Sequence, residues 1–91
     1  MGETRLRLRT DDLDWRELEG EIVALDLREA EYFAVNRTGT LLWRAIAGGA
    51  SRPELVALLV DEFGLTETAA AEDVERFVTD LEHRRLVVPT E

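Results

Sequence analysis

Ninety-one residues with 20 acids, 11 arginines and a net charge of −9 describe one small acidic domain; a chain this short buries only about 60–65% of its unfolded surface, enough for one modest core. The absence of cysteine excludes disulfides, thiolate metal sites and a thiol nucleophile. With one histidine (His83), one serine (Ser51) and no lysine, most catalytic routes lack their residues, and acidity spread over both halves opposes a phosphate-binding surface while suiting a basic partner.

Solubility alone is the simpler account of the acidity. No apolar run approaches the ~20 residues of a membrane span. Arg5, Arg7 and Arg9 lead into acids rather than into a signal-peptide core, so a soluble cytoplasmic protein is expected.

Leu6 and Leu8 alternate with Arg5, Arg7 and Arg9, which reads as a half-buried strand with the arginines on the wet face. Asp11-Asp12 breaks it, Leu13, Trp15 and Leu18 continue the sheet, and Gly20 turns the chain. Residues 21–27 form the strongest strand, with Val23, Leu25 and Leu27 on one face and Ile22, Ala24 and Asp26 on the other. A polar link, Arg28-Glu29-Ala30-Glu31, suits an antiparallel hairpin into the strand Tyr32-Phe33-Ala34-Val35. Asn36 then caps a helix over about 38–47, which Gly48-Gly49 stops. An edge strand at Tyr32–Val35 offers open N–H and C=O groups as a template for another chain.

Ser51-Arg52-Pro53-Glu54 fits a capping box for a second helix, with Leu55, Leu58, Leu59 and Phe63 as its buried stripe and Gly64 as its left-handed end. Thr66 caps a third helix that ends near Arg85 and buries Val74, Phe77, Val78 and Leu81. Asp73, Asp80 and Arg84 share one flank of its stripe, beside Phe77. Leu86-Val87-Val88 packs back before Pro89 ends regular structure.

The chain resembles the PqqD-like family of leader-peptide recognition domains. The residues that carry the resemblance are Val23-Ala24-Leu25-Asp26-Leu27, Tyr32-Phe33-Ala34-Val35-Asn36, Thr38-Gly39 with Trp43, and Asp73-Val74 with Phe77, Leu81 and Leu86-Val87. The match runs over about residues 5–88 and is most similar to the free-standing type that serves lasso-peptide biosynthesis. Val35 stands where the family usually has Leu, and Glu31 where Gly is common. The fold implied is α+β: an N-terminal three-stranded antiparallel sheet followed by a three-helix, winged-helix-like bundle, in one domain over residues 1–91.

The resemblance implies a non-catalytic adaptor. It would bind the leader of a ribosomally made precursor peptide as an added strand beside residues 31–35, with leader side chains in the cleft between that strand and the third helix. The implied peptide-binding residues are Glu31, Tyr32, Phe33, Ala34, Val35, Asp73, Val74, Phe77, Asp80, Leu81 and Arg84. The implied partners are the precursor, a separate transglutaminase-like leader peptidase and the macrocyclase; no cofactor, metal, nucleic acid or membrane is implied. By pattern alone, Val74, Phe77 and Leu81 are core residues, Asp73 and Asp80 are solvated acids, and Trp43 is core. Tyr32 and Phe33 point to opposite faces, one of them core and the other near a partner. The competing reading is a winged-helix DNA-binding regulator, but residues 66–85 carry six acids against three arginines and would be repelled by phosphates. A carrier protein is disfavoured because Ser51 is spent as a helix cap.

Overall fold

The computed structural model describes residues 4–90. Alternation of leucine with arginine makes β1 (Arg5–Leu8), with Leu6 and Leu8 inside. Asp12, at a left-handed φ of 56°, turns the chain away. β2 (Leu13–Leu18), β3 (Glu21–Asp26) and β4 (Glu31–Val35) then form an antiparallel meander in the order β2-β3-β4. Glu19 and Gly20, with φ of 52° and 83°, make a two-residue turn whose twist suits a hairpin. The turn at residues 27–30 closes on the Asp26–Glu31 pair, with Ala30 at φ 54°.

Three helices follow: α1 (Arg37–Ala47), α2 (Arg52–Phe63) and α3 (Glu67–His83). Each start is capped by the residue read for it. The Asn36 side chain accepts from the Gly39 N–H, Thr66 accepts from the Ala69 N–H, and Ser51 and Glu54 form a reciprocal capping box. Gly64 ends α2 at φ 65°. The expected three-stranded sheet followed by three helices is therefore present.

Four details differ from the expectations. β1 does not extend the meander; it pairs antiparallel with β5 (Ala50–Ser51) and β6 (Val87–Thr90) in a second sheet of order β5-β1-β6. Pro89 lies within β6, on a sheet edge where a missing N–H costs no ladder bond. Phe63 is exposed, at the last turn of α2. Arg9 is buried rather than wet, because the strand period ends at Leu8 and the side chain turns inward to Asp26.

The core collects Leu6, Ile22, Leu42, Trp43, Ile46, Leu55, Leu59, Val74, Val78, Leu81 and Leu86. Trp43 sits at its centre, with Trp15 edge-on at 5.9 Å and Phe33 edge-on at 6.1 Å. These two rings settle which face of the meander is inward. Trp15, Ala24 and Phe33 are register partners on that face, so Tyr32, Leu25 and Asp14 stand on the other.

Candidate functional site

The two-residue turn determines where the main-chain groups of the meander point. Its closing pair, Leu18 and Glu21, exchanges both N–H···O bonds, and along β3 every second residue then faces β2. The bond from the Leu27 N–H to the Asp12 carbonyl, 2.8 Å, keeps that phase. Ile22, Ala24 and Asp26 therefore direct their main chain toward β4, at Val35, Phe33 and Glu31. At the end of the ladder a side chain intervenes. The Ile22 N–H donates to Thr40 Oγ1 at 3.0 Å, and that hydroxyl donates to the Val35 carbonyl at 3.3 Å. The N–H and C=O groups of Tyr32 and Ala34 are left pointing away from the sheet. Among the described residues no strand covers this edge.

Beside the edge lies a cleft whose other wall is α3. At the Val35 end it opens into a hollow lined by Asn36, Thr38, Gly39 and Leu42 from the start of α1 and by Asp73, Arg76, Phe77 and Asp80 from α3. Gly39 allows this close approach: a Cβ there would collide with Val35 and lie 2.9 Å from Phe77 Cε1. At the Glu31 end the Arg84 guanidinium crosses the cleft. It stacks over the Phe33 ring at 4.7 Å, with Asp80 at 3.4 Å and Glu31 at 3.5 Å. Asp73 pairs with Arg76 on the same helix. These exposed pairs are each worth about 0.2–1 kcal/mol and can open for a partner.

The structure thus brings Glu31, Phe33, Val35, Asp73, Phe77, Asp80 and Arg84 around one cleft, with the main chain of Tyr32 and Ala34 along its edge. Phe33 is the core-side member of the aromatic pair, and the Tyr32 ring is 72% exposed on the opposite face. Val74 and Leu81 are 1% exposed and serve the core beneath α3. Asn36, Thr38, Gly39, Leu42 and Arg76 also line the hollow and were not read as site residues. Asn36 had a sufficient structural reading as a cap, Thr38 and Gly39 entered only among the residues that carry the resemblance, and the sequence shows no sign that the start of α1 faces α3.

Residues 21–87 match the family model described as coenzyme PQQ synthesis protein D (PqqD). The chain belongs to the PqqD family. The resemblance read from residues 23–27, 32–36 and the third helix is thereby borne out. Two solved structures share the fold of this PqqD-family chain. One is TbiB1 in complex with the TbiA(beta) leader peptide: TM-score 0.82, 21% identity, covering 89% of this chain and 93% of that one. Another is lasso peptide synthetase B1 complexed with the leader peptide: TM-score 0.81, 27% identity, covering 92% and 98%. No curated protein matches the PqqD-family chain in sequence. Among its described residues no helix is long and apolar enough to cross a membrane.

Proposed function

We propose that this chain is a non-catalytic adaptor that binds the leader of a ribosomally made precursor, a lasso peptide precursor, as a strand added to β4. The observation that carries the reading is the open main-chain edge at Tyr32 and Ala34, set directly beside the α3 cleft, in a fold shared with two proteins solved with leader peptides. The leader runs antiparallel to β4 and exchanges main-chain bonds with Tyr32 and Ala34, which need little sequence preference. Its alternate side chains enter the cleft over Phe33 and Phe77 and supply specificity. Ordering a disordered leader costs about 2–5 kcal/mol, so these side-chain contacts have to offset it. The bound precursor is then presented to a separate transglutaminase-like leader peptidase and to the macrocyclase, which gain local substrate concentration rather than new chemistry.

The test begins with a displayed library of random peptides of about 15 residues, long enough to lay a strand along β4 and flank it. Enriched peptides should produce their largest amide shift changes at Tyr32, Ala34 and residues 73–84. Failure to enrich any peptide, or shifts that avoid both elements, sinks the proposal. Mass spectrometry of a precursor incubated with this protein alone should show intact peptide, and cleavage there would require an active site.

The acids of the cleft bias it toward a basic leader. Asp73→Asn or Asp80→Asn should weaken binding of a basic enriched peptide by about 0.5–1.5 kcal/mol, and more at low salt, because exposed charges are screened within a Debye length. Equal affinity of both variants at low and high salt would make these acids bystanders.

A further inference from the structure

Arg9 and Asp26 are the only buried charged side chains among the described residues, and they belong to each other: Arg9 Nη2 lies 2.6 Å from Asp26 Oδ1, with the two side chains 7% and 1% exposed. The same guanidinium donates to the carbonyls of Arg85 (3.0 Å), Asp11 (2.8 Å) and Asp12 (3.1 Å). The Arg9 main-chain N–H donates to the Leu86 carbonyl at 2.7 Å. Asp26 is the register partner of Glu31, and Arg85 follows Arg84. From the core side, therefore, Arg9 holds the strand end beside the start of β4 and the chain that leaves α3. On the solvent side Arg84 spans the same two elements, to Glu31 and Phe33.

Stability does not account for such a pair, since buried ion pairs are often replaceable by apolar residues at no loss. A planar fork that reaches several acceptors at once fixes relative position instead. We infer that Arg9 is a positioning residue for leader binding: by tying Asp26 to the Arg85 carbonyl it sets the spacing of β4 from the end of α3, and so the width of the cleft. The inference rests on the leader-binding reading of that cleft.

The probe is a fluorescein-labelled peptide enriched from the displayed library that shifts Tyr32 and Ala34. Arg9→Lys keeps the charge beside Asp26, but a single ammonium cannot reproduce the fork. In this variant, shown folded by circular dichroism well below its unfolding midpoint, Kd should rise ~10-fold or more, about 1.4 kcal/mol. The nuclear Overhauser contact between Arg84 and Phe33 should weaken with it. A merely structural Arg9 would lower the midpoint and leave Kd and that contact unchanged, which overturns the inference. Should Arg9→Lys fail to fold, Arg9→Met with Asp26→Leu removes both charges and is read in the same way. The wild-type protein supplies an independent reading. Coupling is reciprocal, so peptide should slow hydrogen exchange at the Arg9 N–H more than at amides of α2, and equal slowing overturns the inference. If no peptide is enriched, the leader reading itself fails. A peptide that engages the edge but binds Arg9→Lys with unchanged Kd removes only Arg9.

Discussion

Asp26→Asn is expected to cost about 3–5 kcal/mol of folding stability at neutral pH, because it leaves the Arg9 guanidinium buried with no counter-charge. Chemical denaturation of the two proteins measures it; a loss below about 1 kcal/mol would show that the carbonyls around Arg9 satisfy it unaided. The pH dependence carries a second signature. Burial by itself pushes the Asp26 carboxyl up. The Arg9 hydrogen bond, the Arg28 N–H, the Arg9 charge and the Glu29 N–H together outweigh burial and hold it below its ordinary 3.8. A group lowered on folding contributes stability above its unfolded value and loses it as pH falls through its folded value. The gap between wild type and Asp26→Asn should therefore be full above about pH 4 and shrink at more acid pH.

Gly39→Ala is the second large effect. Helix propensity alone would make alanine stabilising by about 1 kcal/mol. The position instead has Val35 and Phe77 against it, and an added Cβ would overlap the first and crowd the second. A net loss of about 1–3 kcal/mol is expected, in line with other overpacked sites. Peptide binding should fall further than stability does, because the residues that must give way are the end of the edge strand and the wall of the hollow. Adding Val35→Ala should restore part of both. A variant more stable than wild type, with unchanged affinity, would mean that α1 and α3 do not approach as closely as described.

The helix ends were legible because their partners are local. Asn36 reaches Gly39, Ser51 reaches Glu54 and Thr66 reaches Ala69, and every helix start must satisfy its own free N–H groups within a turn. The edge strand was legible for a similar reason, since its aromatic and β-branched run leads straight into a cap. Arg9 and Asp26 were not. They lie 17 positions apart, Arg9 just past the end of β1 and Asp26 at the end of β3. Arg9 continues the wet alternation of Arg5 and Arg7, while Asp26 is the one acid on a face it shares with Ile22 and Ala24. Only their juxtaposition makes either tolerable inside. Of the second sheet only β1 was legible, by its leucine–arginine alternation; its pairing was not, because β5 is two residues long and β6 lies at the far end of the chain. The choice between Tyr32 and Phe33 depended on a tryptophan in another element. Phe77 kept its two readings because it has both roles, half-buried against Gly39 and lining the hollow.

β1 and β6 pair so that Arg5 stands opposite Thr90. The chain therefore enters and leaves this fold at neighbouring points, about 5 Å apart across a strand pair, in the sheet that does not contain β4. A polypeptide extended from either point, or a host protein accepting the whole unit within one surface loop, need not cross the Tyr32–Ala34 edge. The fold is thus suited to being carried as a cassette: a covalent tether to another protein can be made at one corner while the strand-accepting edge stays free.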